Sequence, residues 1–158
     1  MGAAPLGSDQ DSGRARGTKR RREERRVALD ILYQADVTGR LPTEALADWR
    51  DAGRSVPEYS ARVVAGAQER MGEIDRVLGE HSEDWTVARM AVVDRSILRL
   101  ACYEMGEGLP AAIAINEAVE AANALSTEAS GRFINGILGR IAREDGIRFD
   151  GDEAEALE

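Results

Sequence analysis

The sequence is poor in the residues that build reactive sites. Of its 158 residues, one is a cysteine, Cys102, and one is a histidine, His81. A single cysteine excludes an internal disulfide. Within an apolar helical run it reads as a small buried hydrophobe. One imidazole and no second thiol cannot assemble the common zinc sites, and His81 is expected as a surface or capping residue in a polar break between helices. No stretch approaches the roughly 18 apolar residues of a membrane span. The N-terminus is polar and basic, without the apolar segment of a secretory signal. The phosphate-binding G-x-x-x-x-G-K run, a G-x-G-x-x-G turn after a strand, H-E-x-x-H and C-x-x-C are all missing. Strict apolar/polar alternation of useful length is missing too, which excludes strands as the main element. These absences predict an all-α, cytoplasmic protein that is not an enzyme. Catalytic residues, metal and cofactor are expected to be none, and no membrane partner is expected.

Lysine is also nearly absent, since 20 of the 21 basic residues are arginine. The charge is unevenly spread. Arg14 to Arg26 holds eight basic and two acidic residues, a net +6, in a chain of net −8, so the remainder carries −14. Glu144 to Glu158 holds seven acids and one base, Arg148. A basic arm on an acidic body points to local anion binding rather than general attraction to nucleic acid. Guanidinium groups bind phosphate in bidentate fashion and stack on bases, which suits unpaired RNA. In a helix Arg21 and Arg25 form one i, i+4 row and Arg22 and Arg26 a second. Both rows are expected on the solvated side.

Periodicity divides the chain into about seven helices. Residues 1–17 are expected as a flexible, disordered basic tail, 18–149 as the helical domain and 150–158 as a flexible acidic tail. The first helix is expected from Thr18 to Thr38, with Val27, Ala28, Ile31, Leu32 and Ala35 inward and Gly39 as its stop. Thr43 is expected to cap a short helix carrying Leu46 and Trp49, ended by Gly53. Ser55-Val56-Pro57-Glu58 has capping-box spacing and opens one long helix through Tyr59, Val63, Ala67, Met71, Ile74 and Leu78. After a single turn capped by Thr86, a central helix spans about Ala91 to Met105. A further helix spans Ile113 to Leu125, and a last helix opens near Ser130 and carries Phe133, Ile134, Ile137, Leu138 and Ile141.

Four stretches resemble one known family. Arg20-Arg21-Arg22-Glu23-Glu24-Arg25-Arg26-Val27-Ala28-Leu29-Asp30-Ile31-Leu32-Tyr33 is similar to the first helix of the NusB transcription antitermination proteins. Val93-Asp94-Arg95-Ser96-Ile97-Leu98-Arg99-Leu100-Ala101-Cys102-Tyr103-Glu104 resembles a central helix of that family. Ile113-Ala114-Ile115-Asn116-Glu117-Ala118-Val119-Glu120 followed by Phe133-Ile134-Asn135-Gly136-Ile137-Leu138 is the most specific part. The resemblance covers about residues 18–145. It implies two packed three-helix bundles with a short extra helix. It also implies a non-catalytic factor that binds the boxA element of nascent ribosomal RNA, as single-stranded RNA, together with NusE, a small-subunit ribosomal protein. With RNA polymerase and other Nus factors, that pair suppresses premature termination in ribosomal RNA operons.

By the same resemblance, Arg21, Arg22 and Arg25 contact RNA, as do Tyr33 and Phe133, and Asp94 faces the NusE or RNA surface; Arg26, in one row with Arg22, and Ser130, which opens the last helix, are further candidate RNA-binding residues. The residue pattern alone leaves Phe133 open between core packing and base stacking, and Tyr33 open between core and surface. Asn116-Glu117 and Asn135-Gly136 read as structural pairs. The chain departs from many family members at Ala129, where an acidic residue usually precedes Ser130, so any polar contact from that carboxylate is lost. Some family members form homodimers that cover the RNA-binding face, which keeps a homodimer open for this chain. Two other functional readings stand beside antitermination. One is a helical protein-interaction adaptor with an incidental basic arm. The other is the RNA-binding accessory domain of a ribosomal RNA methyltransferase, against which the chain's end at Glu158 weighs.

Overall fold

The computed structural model describes residues 8–83 and 85–149, with side chains from Arg16 onward. Seven α-helices and one 3₁₀ turn occur among the described residues: α1 (Ser8–Thr38), α2 (Pro42–Asp51), α3 (Glu58–Glu69), α4 (Met71–His81), the turn Val87–Arg89, α5 (Val92–Gly106), α6 (Ala111–Leu125) and α7 (Glu128–Glu144). Of the expected tails at 1–17 and 150–158, residues 1–7 and 150–158 lie outside the described residues, and residues 8–17 belong to α1.

Helix α1 begins ten residues before the expected start at Thr18. No proline stands between Pro5 and Pro42, so nothing forces a break upstream of the arginines, and the basic run sits inside a helix rather than at its first turn. Its other end matches expectation. Gly39 takes φ +70°, the Arg40 N–H reaches back to the Ala35 carbonyl at 3.0 Å and the Gly39 N–H to Asp36 at 3.4 Å, a Schellman closure. Gly53, at φ +81°, closes α2 in the same way.

Three expected starts and one expected length are corrected. Thr43 does not cap α2. Pro42 already occupies the first turn, Glu44 accepts the Leu41 N–H at 2.9 Å, and Thr43 turns its N–H and hydroxyl to Gln68 on α3 at 2.8 and 2.9 Å. Ser55 forms no capping box, and α3 starts after Pro57. The long helix is two, broken at Arg70 with φ −101° and ψ 10°, a small deviation open to any residue. Ser130 is inside α7. The cap is Thr127, whose hydroxyl accepts the Ser130 N–H at 3.1 Å.

Helices α1, α2 and α3 pack on one another as one bundle, and α5, α6 and α7 as a second, with α4 against α5 and α7. Helix α5 joins the two, because it also packs against α1 and α3. Accordingly it is buried nearly all round, from Asp94 and Ser96 to Gly106. Charged pairs also fasten this junction: Arg95 to Asp36 of α1 at 2.7 Å and Arg99 to Asp75 of α4 at 2.8 Å. His81 is 4% exposed rather than at the surface, and its Nδ1 lies 2.7 Å from the Val77 carbonyl. Beyond α7, Ile147 and Phe149 also enter the core. The Phe149 ring stacks on Tyr103 at 5.8 Å between centroids.

Candidate RNA interface

The arginines of α1 leave the helix in three directions, each set by what the neighbouring helix offers. Arg25 points inward. Its Nε donates to both oxygens of Glu104 on α5 at 2.7 and 2.9 Å, and the Tyr59 hydroxyl donates to the same carboxylate. Glu104 is 5% exposed and Arg25 12%, so the expectation that Arg21 and Arg25 both stand on the solvated side fails for Arg25. Its helix position faces α3 and α5, where a buried carboxylate needs a cation. Burial is the first cause that pushes the Tyr59 hydroxyl well above its ordinary value, followed by its hydrogen bond to Glu104.

Arg21 lies flat on Tyr59, its guanidinium carbon 3.6 Å from the ring centroid, and pairs with Glu24 at 3.2 Å. Arg22 reaches across to α6. It makes a bidentate pair with Glu117 at 2.9 and 3.0 Å and lies 3.3 Å from Glu120. This hydrogen bond is the largest cause that raises Arg22 above the ordinary guanidinium value and holds the Glu117 carboxyl below the ordinary carboxylate value. The pair bridges an open groove of ≈ 880 Å³ between α1 and α6, with Leu29, Ile97, Leu100 and Ala118 among its walls. Arg26 stays exposed with Asp30 at 3.1 Å. One turn upstream, Lys19 and Arg20 are exposed. Neither has an ion pair among the described residues. They are the unpaired cations of the described arm. Sequence alone does not single them out, because it cannot tell which arginines the body neutralises.

Phe133, Ser130 and Asp94 form a second group. The Ser130 hydroxyl donates to Asp94 Oδ2 at 3.2 Å, while Oδ1 is buried with no partner among the described residues. Asp94 is 8% exposed, and burial is the larger cause that raises its carboxyl, the Ser130 bond opposing it. A pocket of ≈ 310 Å³ opens here, lined by Trp85, Arg89, Asp94, Ala129, Ser130 and Phe133. Trp85, an aromatic that no sequence pattern singles out, is 53% exposed at its edge. Phe133 is half-buried and packs on the core, with part of its ring left accessible. Tyr33 is 42% exposed on α1, which settles its ring at the surface. Asp94 and Glu104 are ten residues apart on α5, roughly 15 Å along the axis. The arm and the Phe133 pocket are therefore separate patches, not one cluster.

The NusB family pattern matches residues 22–143. This chain belongs to the NusB family. The match takes in every expected site residue except Arg21, and it leaves Lys19 and Arg20 just outside. Among NusB relatives, the transcription antitermination protein of Saccharopolyspora erythraea is 44% identical over 128 residues, 77% of this chain and 86% of the relative. That of Pelotomaculum thermopropionicum is 46% identical over 127 residues, 77% of this chain and 88% of the relative. NusB of T. maritima superposes with a TM-score of 0.70 at 34% identity, covering 85% of this chain and 96% of that one. A crystal structure of the antitermination factors NusB and NusE in complex with dsRNA matches with a TM-score of 0.68 at 25% identity, covering 78% and 96%.

Proposed function

We propose that the chain is a transcription antitermination factor. It binds single-stranded boxA-type RNA of nascent ribosomal transcripts jointly with NusE, in the cytoplasm, and acts with RNA polymerase and other Nus factors without catalysing a reaction. The observation that carries this reading, beside family membership, is the arm. Lys19 and Arg20 stand exposed and, among the described residues, unpaired, next to Arg21, Arg22 and Arg26 in exposed or half-exposed ion pairs that phosphate can take over. Arg25 supports this surface from beneath, through Glu104. Tyr33 and the rim of the Phe133–Ser130 pocket supply further RNA contacts, and Asp94, which lines the same pocket, adds negative charge toward a basic partner.

Phosphate contacts position a protein on nucleic acid and carry little sequence information. Selectivity therefore rests on the partner. The net −14 of the chain outside Arg14–Arg26 is complementary to a basic ribosomal protein and steers it. The test is transcription through a terminator placed behind a boxA leader, with NusE and the other Nus factors, with and without this chain. Greater read-through with the chain, abolished when boxA is scrambled, is expected. Equal termination in all three reactions would overturn the proposal.

A further inference from the structure

We propose a zinc(II) site where α4 and α7 end, formed by His81, Glu144 and Asp145. His81 is the last residue of α4 and is 4% exposed. Its Nδ1 lies 2.7 Å from the Val77 carbonyl oxygen. A carbonyl only accepts, so Nδ1 donates to it and Nε2 is the nitrogen turned toward the carboxylates. Nε2 is 3.3 Å from Glu144 Oε2, and an Asp145 carboxylate oxygen completes a group of three donor atoms, all within 4.8 Å of one another. Atoms this close can close on one cation, with the imidazole binding in its neutral form.

A proton on Nε2 is the simplest such cation, but the spacing fits it poorly. A charge-assisted N–H···O bond closes to about 2.7–2.9 Å. Two ligands about 2.0–2.1 Å from a tetrahedral zinc lie roughly 3.3 Å apart, which is the distance found. An imidazole whose other nitrogen donates to a backbone carbonyl is also the usual support of a metal-bound histidine. Imidazole with two carboxylates suits zinc, whereas magnesium takes oxygen ligands in near-ideal octahedra. Glu144 and Asp145 are both exposed, so water has access to a fourth position. Positive charge stands nearby: Arg140 donates to the His81 carbonyl oxygen at 2.8 Å and lies 3.4 Å from Glu83. It weakens the site without reaching the donor atoms. The ion would clip the C-terminal end of α4 to that of α7. The thiol-free residue set gave no hint of this, because the site depends on two helix ends meeting.

The test uses the full chain free of any affinity tag. Zinc is titrated against a chromophoric chelator, and thermal melting is followed with zinc chloride, with EDTA and with magnesium chloride. One bound equivalent is expected, with a melting temperature raised by zinc, restored by EDTA and unmoved by magnesium. Glu144→Gln and Asp145→Asn sit at exposed positions and keep the fold, and each should weaken zinc by about tenfold or more, the scale of loss when a metal's support is removed. X-ray absorption of the zinc-loaded chain should show one imidazole nitrogen among oxygen neighbours, independently of whether His81→Asn folds. Absence of one-equivalent binding, binding unchanged in the doubly substituted chain, or a spectrum without imidazole would overturn the site.

Discussion

At the scale of single residues, the basic arm divides into cations that hold the fold and cations that are available. Arg25 and Glu104 are a buried pair with Tyr59 as a third member. Removing one partner leaves the other charge desolvated, which costs about 3–5 kcal/mol. Arg25→Ala should therefore lower the urea midpoint strongly. Lys19→Ala with Arg20→Ala touches no ion pair among the described residues and should stay within about 0.5 kcal/mol of the parent. The same double variant should bind RNA more weakly, with the slope of log K against log salt shallower by about 0.7 for each phosphate no longer neutralised. The reverse pattern, a stable Arg25→Ala and an unaltered salt slope in the double variant, would misassign the arm.

Asp94 gives a residue-scale prediction of opposite sign to the usual acid. Its folded carboxyl is held above the ordinary 3.8 by burial. Between 3.8 and that raised value the native chain binds more protons than the unfolded chain, so stability falls as pH rises through this window and stays lower above it. Asp94→Asn removes the charge and keeps an acceptor for Ser130. It should melt higher than the parent at pH 7 and bind NusE less well. A lower melting temperature would mean that the carboxylate is better solvated than its geometry indicates.

At the scale of elements, Thr127 secures α7 and the pocket together. Its hydroxyl accepts the Ser130 N–H at 3.1 Å, and Ser130 in turn holds Asp94. Loss of such a cap costs about 1 kcal/mol, so Thr127→Ala should lower the unfolding free energy read from urea titration by that amount, whereas Ser126→Ala, which removes no backbone cap, should cost less. The helices with a clean apolar stripe, α1, α5, α6 and α7, were legible in sequence because burial on one face imposes the 3.6-residue period. The break at Arg70 was not, since the stripe from Tyr59 to Leu78 runs through it and the turn needs no special residue. Ile147 and Phe149 escaped for a related reason. They stand alone in an acidic stretch, and only the glycine seat at Gly106, where an added Cβ would lie 2.4 Å from the Phe149 ring, makes room for the aromatic. The cations of the site were legible as a run, but not their pairing, which is decided by carboxylates 79 and 95 residues away.

At the scale of the whole molecule, the proposed function sets the acidic body in competition with RNA for its own arm. Glu117 and Glu120 on α6 hold Arg22 in place, and phosphate must displace them. Glu117→Gln with Glu120→Gln should tighten binding to boxA and scrambled RNA alike at low salt. The gain should shrink as salt screens the interaction over a Debye length of roughly 8 Å at physiological ionic strength. Unchanged or weaker RNA binding at low salt would show that the carboxylates orient Arg22 for RNA instead of occupying it.

In the proposed assembly, this NusB-family chain supplies charge to an RNA element whose recognition is completed by NusE. Two ligands on one surface are coupled, and the coupling is reciprocal, commonly about 1–3 kcal/mol. The most direct measurement is a set of fluorescence-anisotropy titrations at one salt concentration: boxA-type and scrambled RNA, each with and without saturating NusE. Without NusE, affinity for the two RNAs should be weak and nearly equal. With NusE, binding to boxA-type RNA alone should tighten at least about fivefold, and the same factor should be recovered when NusE is titrated into the RNA complex. Equal affinities for the two RNAs with and without NusE would contradict this division of labour.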